Sequence, residues 1–306
     1  MTINLGYACI NETLKKDKIT CNRGMIKRTF QDKGIAYASE LALINVKALK
    51  QIIEWNNAND ISVYRMTSCL FPWMSEYDIF DLPDIDAIAD TMATAGKIAM
   101  DAGQRLSFHP GPFNCLASPN DDVVRKTIAE LNAHSLQMDL MGLPVSPRAK
   151  INIHVGGAYG EHDNAMARFC KAVDRLGATT QLRLTVENDD KASMYSVQDL
   201  YDGIYKRIGI PIVFDYHHHG FCTGDLTEQK ALELAISTWP DDIVPAVHYS
   251  ESRRREQLDE SIRPQAHSDY ITDYINTYGH RIDIMVEAKH KELAVQQYKE
   301  TYETSN

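Results

Sequence analysis

Cysteine is sparse and unpaired in this sequence: Cys9, Cys21, Cys69, Cys115, Cys170 and Cys222 are scattered over 306 residues without one Cys-x-x-Cys pair. That scatter excludes a zinc ribbon or a dithiol redox motif and suits free thiols in a reducing compartment. Long apolar runs are missing too. No stretch approaches the roughly 18 apolar residues of a membrane helix, and MTINLGYACINETLKKDK lacks the basic, apolar and small-residue order of a secretory leader. The expectation is a cytoplasmic protein without a membrane partner. Positive charge is in deficit, with 32 Lys and Arg against 42 Asp and Glu and a net charge of −10. Bulk charge therefore does not announce a nucleic-acid binder, and any such claim has to come from the site. Leu5-Gly6-Tyr7-Ala8-Cys9 has neither a GxGxxG nor a Walker pattern, which weighs against an open dinucleotide-binding sheet. Linkers rich in Pro or Ser and internal repeats are also absent, so one domain over residues 1–306 is expected.

What is present is an ordinary globular composition, 44% hydrophobic and 24% charged, arranged as repeated strand and helix signals. Strands are expected at Ile3 to Cys9, Ile61 to Met66, Arg105 to His109, Lys150 to His154, Leu182 to Glu187, Ile210 to Asp215, Ile243 to His248 and Ile282 to Glu287. Helices alternate with them at Ser39 to Asn56, Ile85 to Ala102, Asp121 to Met141, Asp163 to Leu176, Ser196 to Ile208, Thr227 to Trp239, Tyr270 to Tyr278 and from Glu292 onward. Ser39 is expected to cap the first of these, and Ser268 with Asp269 the seventh. Eight such units predict an α/β fold of the (β/α)8 TIM-barrel type, with one early insertion at Asn11 to Ser39.

Six of the predicted strands end in a metal-ligating residue: His109, His154, Glu187, Asp215, His248 and Glu287. Each is one strand-helix unit from the next, so a barrel brings all six to the face where barrel enzymes keep their active sites. Taken singly, a strand-end histidine is more often a hydrogen-bonded structural residue. Six in register are not explained that way. His218, three residues past Asp215, and His267, in the loop after the seventh strand, extend the set. Converging buried carboxylates are costly unless a cation or proton neutralises them. Mixed imidazole and carboxylate donors suit Mn2+, Zn2+ or Fe2+. Eight candidates for one ion would leave several idle, so two or three ions are expected, with Glu187 bridging, an arrangement suited to activating water against a phosphodiester.

Other features are weaker. His217-His218-His219, read as an extended segment, lets one or two rings point inward, and His218 is assigned that role. Gly156, Gly157 and Gly160 follow His154 and serve either a ligand or a loop that needs positive φ. Arg253-Arg254-Arg255 belongs to a solvated loop on the active face. In the early insertion Lys15, Lys16, Lys18, Arg23, Lys27, Arg28 and Lys33 outnumber Glu12, Asp17 and Asp32, a local surface for a phosphate backbone.

Together these residues resemble the UV damage endonuclease family, barrel enzymes related in fold to endonuclease IV. The pieces are Leu5-Gly6-Tyr7 with Asn11, His109-Pro110-Gly111, His154 with Gly156-Gly157, Glu187-Asn188-Asp189, Asp215 with His218-His219, His248, His267-Ser268-Asp269 and Val286-Glu287-Ala288-Lys289, spanning nearly the whole chain. The resemblance implies that His109, His154, Glu187, Asp215, His218, His248, His267 and Glu287 hold two or three divalent ions, Mn2+ first, with Zn2+ or Mg2+ as alternatives. It implies a hydrolase that cuts damaged double-stranded DNA 5′ to UV photoproducts and leaves 3′-hydroxyl and 5′-phosphate ends, with no obligate protein partner. Glu187, Glu287, Asp215 and His248 would carry the chemistry. Tyr7, Asn11, Pro112, Phe113 and Lys289 would meet the DNA and its lesion. Pro112 stands where many members carry a Gln, Ala246 where some carry a Lys, and Cys69 near a variable His ligand, where a small buried thiol is the expectation here. A xylose isomerase-like sugar isomerase or epimerase and a non-catalytic lesion-binding homologue are the alternatives.

Overall fold

In the computed structural model, which describes residues 3–302, eight short parallel strands close into a ring inside a layer of helices. In chain order the elements are β1 (Asn4–Ala8), α1 (Glu12–Lys15), α2 (Lys27–Ala58), β2 (Val63–Arg65), α3 (Ile85–Asp101), β3 (Arg105–Ser107), α4 (Asp121–Leu140), β4 (Ile151–Ile153), α5 (His162–Val173), α6 (Ala178–Arg183), β5 (Leu184–Glu187) and α7 (Val197–Leu200). They continue with α8 (Lys206–Ile208), β6 (Ile212–Asp215), α9 (Tyr216–His219), α10 (Glu228–Ile236), β7 (Ala246–Tyr249), α11 (Arg253–Gln257), β8 (Asp283–Val286) and α12 (Lys291–Tyr302). The strand order is β3-β2-β1-β8-β7-β6-β5-β4. Between β3 and β4 the ring is closed by a single bridged pair, Phe108 with Ile151, where Phe108 N donates to Lys150 O at 2.9 Å and Asn152 N to Phe108 O at 2.9 Å. The expected TIM barrel is the observed fold.

Period-two patterning decides which side chains fill the ring. Ala8, Val63 and Met285 form one apolar layer inside it, and Val213, Trp239 and Ala246 another. At Gly6 a Cβ would fall 1.7 Å from Val63 O, so glycine is required where β1 approaches β2. Below the apolar layers, Arg105 is 2% exposed and donates to Arg148 O, Val244 O and Pro147 O and, at 3.0 Å, to Asp283 Oδ2. Outside the ring, α3 buries Ile88, Met92, Ala95 and Ala99, the three- and four-residue steps of one helical face.

Three local expectations are corrected. Residues 270–278 are irregular, not helical. Ile271 and Ile275 are buried four apart and mimic a helix stripe, but the backbone N–H groups are claimed by side chains: Thr272 and Asp273 by Glu251, Asp269 and Tyr270 by Glu256, and Ile275 by the Tyr298 hydroxyl. Ser268 accordingly caps nothing and donates to Tyr270 O. Ser39 lies inside α2, which starts well before it and is interrupted at Gly34 (φ 64°); its hydroxyl instead pairs with Asp84, the residue preceding α3. His217, His218 and His219 sit on the helical turn α9 rather than on an extended segment, because Asp215 Oδ1 accepts from His218 N at 2.7 Å and caps it.

Candidate metal centre

Glu187 closes β5 and is 1% exposed, in the middle of the C-terminal mouth of the ring. Its Oε2 lies 3.2 Å from His109 Nε2 and 3.0 Å from His248 Nδ1; its Oε1 lies 3.3 Å from His218 Nδ1 and 3.9 Å from His154 Nε2. Asn152, two residues before His154 on the same strand, donates its amide to Oε2. Glu287 follows β8, accepts from Arg65 Nη1, and stands 3.4 Å from His248 Nδ1 and 3.5 Å from His267 Nδ1. His248 thus faces both glutamates from β7.

Contacts behind the histidines fix their tautomers. A backbone carbonyl can only accept, so His218 Nδ1 donates to Asn188 O at 2.9 Å, and His267 Nδ1 donates to Glu287 O at 2.9 Å. With Nδ1 committed in this way, Nε2 is the nitrogen each ring can offer to a metal; His267 offers it as the neutral ring, and His218 once its second proton is released. His154 Nδ1 has Asp189 Oδ1 at 3.1 Å behind it. Asn188 clamps the neighbouring strand, accepting from Asp215 N at 2.8 Å and donating to Asp215 O at 3.1 Å.

Burial and charge oppose each other here. Although burial works against charge on His154, Glu187 and Asp189 hold its pKa up at about 9. His218 is likewise pushed up to about 11 against its burial by Asp215 and Glu187. Burial takes His248 down to about 4, helped by the nearby Lys150. Despite its own burial Glu187 stays well below the usual carboxylate range, because His248 and His154 favour its charge. Burial, with Glu187 and Glu287 close by, raises Asp215 to about 7.

The donor set fits divalent cations. Asp215 Oδ2 and His248 Nδ1 are buried without a hydrogen-bond partner, although His248 Nδ1 lies 3.0 Å from a carboxylate oxygen. Such atoms converge on a point between them rather than on each other. Two groups of donor atoms, His109 with His154 and Glu187, and Glu187 with Asp215 and His248, each lie within 4.8 Å of one another and share Glu187. His218, His267 and Glu287 stand at the rim of the same cluster.

The remaining expected residues are placed differently. Tyr7 is fully buried between the ring and α2, donating to Asn56 Oδ1 and accepting from Asn11 Nδ2, and Asn11 caps α1. Neither presents its side chain at the surface. Pro112 and Phe113 lie in the loop after β3, with Phe113 91% exposed, and Lys289 is exposed just beyond β8. Cys69 is exposed, which corrects the expectation of a buried thiol. Gly156 has φ 101° and packs where a Cβ would meet Cys115 Sγ at 2.6 Å. Sequence reasoning missed Arg65, Lys150, Asn152 and Asp189. Lys150, Asn152 and His154 alternate along one strand, the period-two signal that assigns all three to the inside of a barrel. Arg65 closes β2 as Glu187 closes β5.

The sequence model of the family described as UV-endonuclease UvdE matches residues 3–304. A UV-damage endonuclease of Schizosaccharomyces pombe is 32% identical over 314 residues, covering 99% of this chain and 51% of that protein, so this chain spans about half its length. A UV DNA damage endonuclease of Bacillus cereus (strain Q1) is 32% identical over 266 residues, covering 83% of this chain and 79% of that one. The crystal structure of SacUVDE is similar with a TM-score of 0.82 at 28% identity, covering 98% of this chain and 99% of that chain. A D-psicose 3-epimerase from Clostridium cellulolyticum H10, at 13% identity and a TM-score of 0.52 over 78% of each chain, shares the fold alone. The barrel, its carboxylate and imidazole cluster and these matches place the chain in the UV-endonuclease UvdE family.

Proposed function

We propose that this protein is a metal-dependent DNA repair endonuclease that cuts the phosphodiester 5′ to a UV photoproduct and leaves 3′-hydroxyl and 5′-phosphate ends. The observation that carries the reading is Glu187, one carboxylate shared by two convergent donor groups in the mouth of the barrel. Divalent ions held there supply Lewis-acid polarisation of a phosphate and an ionised water near neutral pH. Imidazole nitrogen beside carboxylate oxygen favours Mn2+ over Mg2+.

The chain's own groups do the positioning. His109 and His154 on one side, Asp215 and His248 on the other, hold the donor sets to either side of Glu187. Arg65 orients Glu287, and Asn152 orients Glu187. Phe113, almost fully exposed on its loop, serves as the wedge at the damaged step, where Pro112 offers no side-chain hydrogen bond. Extruding bases costs a few kcal/mol in sound duplex and less where a photoproduct has weakened pairing, so damage supplies part of the selectivity. The basic insertion after β1 offers Lys and Arg to the phosphate backbone, and binding weakens as salt rises.

The test is incision of an end-labelled duplex carrying one cyclobutane pyrimidine dimer, with Mn2+ or EDTA, beside undamaged and abasic duplexes. Metal-dependent cutting just 5′ of the dimer is expected. Cutting only at the abasic site would move the assignment toward an endonuclease IV-like role. Silence on all three, with turnover of a ketose or aldose, would replace it with sugar isomerisation.

A further inference from the structure

Two large apolar side chains stand out of the described surface almost completely: Phe113 at 91% exposure and Leu258 at 90%, ahead of Ile26 at 70%. Phe113 rides on the loop after β3 and Leu258 on the loop after β7. In the ring β3 and β7 are four strands apart in either direction, so the two loops rise from opposite sides of the same mouth. Each loop has a residue of the metal cluster at its base, His109 under Phe113 and His267 under Leu258.

Leu258 sits in an unfavourable backbone conformation on a loop whose base is pinned. The loop base is pinned by a bridge between Ser252 and His267, by Arg253 N donating to Ala266 O at 2.7 Å, and by Ser268 N donating to Glu251 O at 2.8 Å. The arginine run frames the loop: Arg253 faces Asp269 at 3.8 Å, Arg254 pairs with Glu260, and Arg255 pairs with Glu251 at 3.1 Å and Asp273 at 2.6 Å. Leu258 itself ends α11 in the left-handed region, φ 51° and ψ 37°, a position that suits glycine or asparagine. A leucine here is strained and solvated, and the fold gains nothing from its apolar surface. Strain of this kind gathers where a side chain meets a ligand.

We infer that Leu258 is a second apolar probe of the DNA, set across the mouth from Phe113, that enters the duplex at the distorted step and helps hold the damaged bases out of the stack. The inference rests on the endonuclease reading. Its chemistry is that of proteins that insert Leu, Phe, Ile or Met between base steps, exchanging unstacking for a deformed duplex that fits the site. A lesion flanked from two sides is held open more firmly than by one wedge, and sound duplex resists both.

The test is Leu258→Gly in the full chain, since glycine suits the left-handed cap and protects the fold. An unchanged or higher Tm and unchanged Mn2+ binding by calorimetry verify fold and cluster. The duplex carries one cyclobutane dimer and a 2-aminopurine opposite it. The expected result is a loss of about tenfold or more in affinity, with a diminished rise of 2-aminopurine fluorescence, and recovery of both in Leu258→Met. Wild-type affinity and fluorescence in Leu258→Gly would overturn the inference and leave the endonuclease reading standing. A wild-type protein that neither cuts nor binds the dimer duplex would overturn both.

Discussion

Lys150 Nζ lies 3.1 Å from His248 Nε2, both groups fully enclosed by the barrel. Burial takes the lysine down to about 7, even with Glu187 favouring its charge. An ammonium at that position donates to Nε2 and obliges the imidazole proton to sit on Nδ1, the atom that faces Glu187 and Glu287. A neutral amine accepts from Nε2 and frees the Nδ1 lone pair. We predict that Lys150 thereby gates the proton on His248.

Mn2+ affinity of the wild-type protein is expected to rise by about tenfold per pH unit for each proton released as the solution passes through pH about 7. In Lys150→Met the donor is gone, so that pH dependence becomes shallower by one proton. Calorimetric titrations at about one unit either side of neutrality decide it, and parallel slopes in the two proteins would refute the gate.

Replacing Glu187 by Gln keeps the shape and removes the charge that the two donor groups share. Incision of dimer-containing duplex is expected to fall by about a thousandfold or more, while far-ultraviolet circular dichroism stays native. Near-normal cutting would remove Glu187 from the bridging role.

Thermal stability without metal has a definite sign against pH. His154 and His218 have folded pKa values of about 9 and about 11, above the ordinary imidazole value of about 6.5. The stability they contribute is complete below pH about 6.5 and is lost as the pH rises through those values. Asp215, raised to about 7 from about 3.9, adds a decline between those two points, because the fold binds its proton more tightly than the unfolded chain does. Above neutrality the two histidines outweigh Lys150, whose depressed pKa acts in the opposite direction, so melting in EDTA should move to lower temperature from pH about 7 to about 9, whereas below pH about 6.5 the depressed His248 opposes Asp215. Mn2+ takes the place of these protons, so its stabilisation should widen over the same range. Melts in EDTA and in Mn2+ that stay a constant distance apart would contradict this proton bookkeeping.

The Arg105 and Asp283 pair at the lower end of the ring is structural. Arg105→Met leaves a carboxylate buried at 4% exposure without its main counter-charge and strands the carbonyls of Arg148, Pro147 and Val244. A loss of about 3–5 kcal/mol is expected, read from urea unfolding, with cluster chemistry intact in the fraction that stays folded.

Much of this site was legible because barrel geometry turns spacing in the chain into position in space. His109, His154, Glu187, Asp215, His248 and Glu287 each lie within two residues of the C-terminal end of a strand, and parallel strands in one ring end on one face. His218 and His267 followed from their closeness to that face. Loops obey no such rule. Residues 270–278 copied a helical stripe while Glu251 and Glu256 took their backbone donors, a contact between segments that no local pattern records. Lys150 and Asn152 went unnoticed because a lysine on a strand suggests solvent, yet alternation with His154 turns it inward. Tyr7 and Asn11 lie near the mouth in sequence terms, but Asn56 on α2 draws the tyrosine hydroxyl outward.

His109 and His154 stand on opposite sides of the join between β3 and β4, which one bridged pair closes, whereas β7 and β8 share four paired positions. A cation held by these two imidazoles and Glu187 would rivet the barrel at its thinnest joint. An ion bound there would then also keep the staves together, so starving the protein of metal is expected to loosen its architecture from the mouth downward.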